Sequence, residues 1–202
     1  LSDFSNRNLV HSVLDVACGE MPYKSDISCE EYIGTDVEFY KMEERANFVP
    51  FDGMNIPFEN EAFDLVICMD VLEHATDAEY LIREMNRVLK KDNGYLYISM
   101  PFIFGEHGIP PYDYRRFTSF GIKQIAENNG FEIFHHYKEI EGIEAFSRLG
   151  RSEINRFAID GQQIKHRLAN AVIKISCGIL KLLGMEMPGI FASNQIMLKK
   201  KS

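Results

Sequence analysis

Apolar and polar positions along the chain fall into short runs that alternate between two periods. Ser12–Val16, Glu31–Thr35, Ala46–Val49, Phe63–Met69, Gly94–Met100, Phe131–Ile140 and Ser193–Lys199 are brief runs rich in apolar side chains, and each predicts a strand. "FDLVICM" at Phe63–Met69 is nearly all apolar, as a central strand covered on both faces must be. The intervening stretches follow the helical period. From Thr76 to about Lys90, Leu81, Ile82, Met85, Val88 and Leu89 share one face, and "TDAE" predicts a capping box between Thr76 and Glu79. Thr118 caps a second predicted helix, with Ile122, Ile125 and Ala126 inward and Gly130 as its stop. A third apolar stripe runs through Ile164, Leu168, Ala171, Val172, Ile175, Ile179, Leu182 and Leu183. Its expected role is packing over the sheet or lining a pocket.

Strands alternating with helices predict an α/β fold with a doubly wound, mostly parallel sheet. At 202 residues the chain suits one domain over 1–202. No repeat or low-complexity segment interrupts it, and no signal peptide is legible from Leu1 onward. Cys18, Cys29, Cys68 and Cys177 form no C-x-x-C pair, so buried reduced thiols in a cytoplasmic setting are expected, and no metal site. His135 and His136 are adjacent on a predicted strand and point to opposite sides, which disfavours a shared metal there.

Charge changes the picture at one end. The chain carries a net −8, yet residues 163–202 hold seven basic and one acidic side chain. The acidic body excludes a nucleic-acid partner, which needs a basic surface. The basic end is a solvated face or a contact with a membrane surface through 164–183; charges interrupt that stretch, so it does not span one.

In a parallel sheet ligands bind beyond the carboxyl ends of the strands. Acids stand at the ends of the first four: Asp15 in the first, Asp36 after the second, Asp52 after the third and Asp70 after the fourth. Asp36 lies where an acid can accept from a ribose, but the loop after the first strand keeps only Gly19, too few glycines for a pyrophosphate cradle. A nucleoside ligand without a phosphate fits better, which leaves a nicotinamide dehydrogenase as the weaker option.

These residues resemble the class I S-adenosylmethionine-dependent methyltransferases, most closely the type 11 group. "VLDVACGEMPY" is similar to that family's first motif, "YIGTDVE" to its second and "FDGMNIPFENEAFDLVICMDVLEH" to its third and fourth. "LIREMNRVLKKDNGYLYISMP" and "YDYRRFT" with "GIKQIAENNGFEI" extend the match from about Val13 to Ile133. The resemblance implies a seven-stranded Rossmann-like sheet with an antiparallel C-terminal strand, and S-adenosylmethionine as cofactor. It implies that Asp15, Ala17 and Gly19 turn against the methionine part; where the chain departs from the family at Met21-Pro22, the loop is expected to turn differently and Tyr23 to close one side of the site. Asp36 would bind the ribose, Val37 the adenine face and Asp52 the adenine amino group, with Gly53 and Met54 nearby. Met69 and Asp70 would lie beneath the sulfonium. Ala17 and Met21 stand where the family pattern has glycine, and Met21-Pro22 implies a different path for the loop.

Methyl transfer is an in-line displacement, so positioning and water exclusion carry much of it. "PFIFGEHGIPPYDYRRF" at 101–117 is the candidate lid, and 144–190 a helical insertion before the last strand. His74 and His107 are the candidate bases, and Tyr112, Asp113, Arg115 and Arg116 candidate acceptor contacts; the arginines could equally be held in salt bridges. The expected activity is methyl transfer to a small-molecule or sugar acceptor. A non-catalytic cofactor-binding or partner-binding module is the alternative.

Overall fold

The structure, a computed structural model, describes residues 4–5, 10–37, 47–108, 112–156, 163–185 and 189–201. Ala46 of the third predicted strand and residues 109–111 of the candidate lid lie outside them. Strands β1 (Ser12–Val16), β2 (Glu31–Asp36), β3 (Phe48–Pro50), β4 (Leu65–Met69), β5 (Tyr95–Pro101), β6 (Phe131–Glu141) and β7 (Phe191–Lys200) form one seven-stranded sheet in the order β3-β2-β1-β4-β5-β7-β6. The first five are mutually parallel, and β7 runs antiparallel to both β5 and β6. This is the Rossmann-like sheet expected from the sequence. All parallel strands therefore present their carboxyl ends, and the acids that follow them, along one edge.

One face of the sheet is covered by helices α1 (Ala78–Val88) and α2 (Ser119–Asn128). Leu81, Ile82, Met85 and Val88 of α1 meet Leu14, Val66, Leu96 and Ile98 of the sheet in the main core, all essentially without solvent contact. The sequence places the first helix correctly but its cap one residue early. Asp77, not Thr76, accepts from the Tyr80 N–H at 2.9 Å, while the Thr76 hydroxyl turns to the Met54 sulfur. A carboxylate is the stronger acceptor for the free amides at a helix start. Thr118 caps α2 as expected, accepting from the Gly121 N–H at 3.0 Å.

The opposite face is built differently. The β1–β2 crossover contains a single 3-10 turn, Lys24–Asp26, in place of an α-helix. Its side chains Cys18, Met21 and Ile27 cover Val13, Tyr32, Leu65 and Ile67 directly. Gly34 in β2 makes that approach possible, because a Cβ there would sit 2.4 Å from the Met21 Cε and 2.6 Å from the Cys18 Sγ. Ala17 and Met21 both hold φ near +55°, the left-handed region where glycine is at ease. Backbone shape at the two family glycine positions thus stays glycine-like, while the Met21 side chain is spent on filling the core.

Helices α3 (Ile143–Arg156) and α4 (Gln163–Leu182) lie between β6 and β7. The apolar stripe read from the sequence does not pack over the sheet. Ile164, Leu168, Val172, Ile175, Ile179, Leu182 and Leu183 are 51–88% exposed. A second apolar face of α4 makes the contact instead: Ile173 sits against Gly150 of α3, Cys177 is buried and Lys181 reaches Glu144 at 2.9 Å. No helix among the described residues is long and apolar enough to cross a membrane.

Candidate active site

The strand ends divide into two neighbourhoods. On the β1–β2 side, Asp36 is buried, and its carboxylate accepts from the Gly19 N–H at 2.8 Å and the Val37 N–H at 2.7 Å. It therefore ties the loop after β1 to the end of β2. Open space lies where a Cβ on Gly19 would go, and Val37 faces Gly53 across a gap that a Cβ would bring to 3.4 Å. Asp52 spends its carboxylate on its own turn, accepting from the Met54 and Asn55 amides and the Asn55 side chain, which holds its pKa below the usual range. Tyr23 is half-buried, and burial with the charges of Asp70 and Asp15 pushes its phenol up.

Asp15 faces the interior rather than the loop mouth. Its carboxylate accepts from the Tyr32 hydroxyl at 2.6 Å and is 2% exposed. Burial, aided by the charge of Asp36 and opposed by the Tyr32 hydrogen bond, raises its pKa to about 7. A raised folded-state pKa means the folded protein keeps a proton that the unfolded chain has released. Asp15 thus contributes stability that is full below about pH 4 and lost as pH rises through about 7. Asp15→Asn, whose amide oxygen still accepts from Tyr32, should flatten the stability profile across that window, where the wild-type fall contributed by this group approaches about 1.4 kcal/mol per pH unit. Denaturant melts of both proteins at pH 4 to 8 measure it; parallel profiles would contradict it.

On the β4–β5–β7 side a cavity of about 440 Å³ opens, lined by Asp70, Glu73, His74, His107, Arg148 and Ser193 among others. Asp70 takes a left-handed conformation, φ +54°, at the end of β4, and Ser99 anchors it through its carbonyl and its hydroxyl. That turn swings Glu73 and His74 into the cavity wall. The candidate lid is stapled over them. Tyr114 donates its N–H to the Glu73 carbonyl, and the His74 Nδ1–H donates to the Tyr112 carbonyl.

The sequence-predicted acceptor contacts divide on inspection. Arg116 forms a fork on Asp113 and also reaches the Gly105 and Phe104 carbonyls; Asp113 in turn accepts from the His107 N–H at 2.8 Å. Arg115 donates to the Ala75 and Thr76 carbonyls. Both arginines brace the segment, and Arg116 holds the Asp113 carboxyl well below its usual range. Tyr112 remains 54% exposed. The predicted bases do come together: His74 and His107 stack edge-on with centroids 4.8 Å apart.

Sequence reading missed Glu73, although it stands beside His74 in "MDVLEH". Its side chain is fully buried, and neither carboxylate oxygen has a hydrogen-bond partner. The His107 Nε2 lies 3.6 Å from its Oε1 and the His74 Nε2 3.8 Å. Burial raises its pKa to about 7, with the charge of Asp70 adding. Arg148 from α3 and Ser193 from β7 were also missed. Ser193 reaches the cavity because β7 turns back antiparallel beside β5, opposite Pro101, and Arg148 from the helix that precedes it; no local spacing signals either.

Residues 14–98 match a known family, the methyltransferase domain. Norajmaline N-methyltransferase of Rauvolfia serpentina is 43% identical over 47 residues, 23% of this chain and 16% of that protein. The uncharacterized methyltransferase YcgJ of Bacillus subtilis is 27% identical over 106 residues, 44% of this chain and 40% of that one. The matched stretches thus span well under half of these relatives. Among solved structures, Haemonchus contortus phosphoethanolamine N-methyltransferase 2 in complex with S-adenosyl-L-methionine superposes with a TM-score of 0.57 at 18% identity, over 95% of this chain and 49% of the other.

Proposed function

From a chain whose residues 14–98 match the methyltransferase domain, we propose an S-adenosylmethionine-dependent enzyme that methylates a small-molecule or glycan-like acceptor held in the β4–β5–β7 cavity. When bound, S-adenosylmethionine supplies a methyl carbon made electrophilic by a sulfonium. The residues present fit it. Open space at Gly19 beside the buried Asp36 carboxylate suits a ribose and its methionine tail, and the Val37–Gly53 gap suits an adenine. Asp36 would keep the Gly19 and Val37 amides and accept from the ribose hydroxyls with the remaining lone pairs of its carboxylate, and Asp70 would mark the boundary between cofactor and acceptor. The single observation that carries the reading is that boundary: the braced Asp36–Gly19 loop lies along the same strand edge as a separate cavity lined by Asp70.

The chain's own contribution is then positioning, with the acceptor atom held about 3–3.5 Å from the methyl and in line with it. Arg115 and Arg116 are committed to the lid, so an anionic group on the acceptor would meet Arg148 on the cavity wall. An acceptor hydroxyl would lose its proton beside the Glu73–His74–His107 cluster. Labelled cofactor with a panel of sugars, nucleotide sugars and small amines tests the activity, and methyl incorporation into one class is expected. The second reading, a binding module without turnover, is favoured by the non-glycine residues at Ala17 and Met21. Cofactor binding with no incorporation in any class would support it.

The exposed stripe of α4 bears on where the acceptor is met. Between 163 and 185 there is no acidic residue, while Lys165, Arg167 and Lys174 flank the apolar positions. A second copy of this helix would bring like charges face to face, whereas an anionic lipid surface complements both features. We infer that α4 lies on such a surface and sets the cavity wall formed by α3 beside it. Full-length protein should sediment with phosphatidylcholine vesicles containing phosphatidylglycerol and not with phosphatidylcholine alone. V172E/I175E should weaken binding at least tenfold. Absence of vesicle binding would overturn this, as would a wild-type dimer that V172E/I175E converts to monomer.

A further inference from the structure

We propose that Glu73, His74 and His107 form a binding site for one divalent transition-metal ion at the acceptor end of the cavity. One ligand atom from each residue lies within 4.8 Å of the others, and all three residues line the cavity. The chemistry of each atom points the same way. The Nδ1 of His74 faces the Tyr112 carbonyl, and that of His107 faces the Gly105 carbonyl at 3.3 Å and the Asp113 carboxylate at 3.4 Å. Carbonyl and carboxylate oxygens only accept, so Nδ1 carries the hydrogen in both rings. The Arg116 guanidinium, 3.4 Å from the same His107 nitrogen, is itself committed to Asp113 and Gly105. In its neutral form each ring then presents its Nε2 lone pair to Glu73.

Glu73 cannot satisfy them. Its two oxygens are buried, they receive no hydrogen bond, and the imidazoles stand 3.6 and 3.8 Å away, too far to donate. With Glu73 ionised and both rings neutral, three electron-pair donors converge with no donor hydrogen between them, as expected where a cation belongs. Two imidazoles and a carboxylate are the ligand set of zinc and other first-row divalent ions. Ligands sharing one such ion lie about 3.3 Å apart at tetrahedral angles, so the 3.6 and 3.8 Å from Glu73 to the two rings are close to bonding spacing, while the set as a whole, spread over up to 4.8 Å, needs the rings to draw in by about 1.5 Å at most. The second contacts of both rings, Tyr112 and Asp113, belong to the lid, and backbone or carboxylate partners of this kind orient metal-bound histidines. The lid would therefore be fixed by the same ion that it helps to hold.

The consequence for chemistry rests on the methyl-transfer reading. An acceptor hydroxyl bound to the metal becomes more acidic and releases its proton to solvent. The resulting oxygen forms the bond to the methyl carbon as the carbon–sulfur bond breaks, and sulfur keeps the electron pair. The acceptor class is accordingly a hydroxyl, in preference to an amine.

The test uses full-length protein stripped with a chelator and titrated with zinc or manganese alone, with bound metal counted by elemental analysis. One equivalent should bind, and His107→Ala and His74→Ala should each weaken binding at least tenfold, while H135A/H136A should not change it. S-adenosylmethionine affinity, measured on the same proteins, should be retained in His107→Ala. No metal binding, or an affinity insensitive to His74 and His107, overturns the site while leaving cofactor binding intact. Metal binding without cofactor binding overturns the methyl-transfer reading and leaves the site standing.

Discussion

Glu73→Met should stabilise the metal-free protein by about 1–3 kcal/mol, although it deletes a charged residue at the heart of the candidate site. The carboxylate is fully buried with both oxygens unpartnered, so the folded state carries a desolvation cost that no hydrogen bond offsets. Methionine has nearly the same length, carries no charge to desolvate, and leaves the Nε2 atoms of His74 and His107 free to turn toward the cavity. For a chain of this size the melting temperature should rise by several degrees. The same variant should lose divalent-metal binding. Stability sacrificed at one position for a chemical role is the pattern expected of a functional site. Thermal melts of chelator-treated wild type and variant decide it, and a fall in stability would mean that Glu73 has a partner that makes it structural.

Asp36→Ala should lower S-adenosylmethionine affinity at least a hundredfold and cost about 2–4 kcal/mol of stability. Two backbone amides, Gly19 and Val37, lose a charged acceptor at once. Hydrogen bonds to charged groups contribute about 1.5–3 kcal/mol each. Because the loop after β1 hangs on the Gly19 bond, the site loses both its shape and its ribose contact. Asp36→Asn keeps one acceptor oxygen and most of the loop geometry, so it should fold near wild type and still lose affinity. Calorimetry on both variants separates loop collapse from direct contact. Wild-type affinity in Asp36→Asn would show that the carboxylate braces the loop without touching the cofactor.

Much of this arrangement is legible from the chain. The central strands read clearly because Leu65–Met69 and Ser12–Val16 are apolar throughout, and a parallel sheet then sends Asp36, Asp52 and Asp70 to one edge. Pairing of His74 with His107 was anticipated only as two separate candidates. The buried acid between them was not, since Glu73 in sequence is one of many acids and its burial depends on the turn at Asp70. Arg115 and Arg116 offered two readings, an acceptor contact or a salt bridge; Arg116 pairs with Asp113, while Arg115 donates to the Ala75 and Thr76 carbonyls, partners that lie far off in sequence and that no spacing signals. Helix α4 misled because it has two apolar faces. The stripe with the better period is exposed, and the shorter face through Ile173 and Cys177 packs against α3. Periodicity reports that a face is apolar, not what covers it.

The most direct measurement is calorimetric titration of the full-length wild-type protein with S-adenosylmethionine. One site per chain with micromolar affinity, lost in Asp36→Ala and retained in His107→Ala, is the predicted result. A folded protein that takes up no S-adenosylmethionine would contradict the account at its centre.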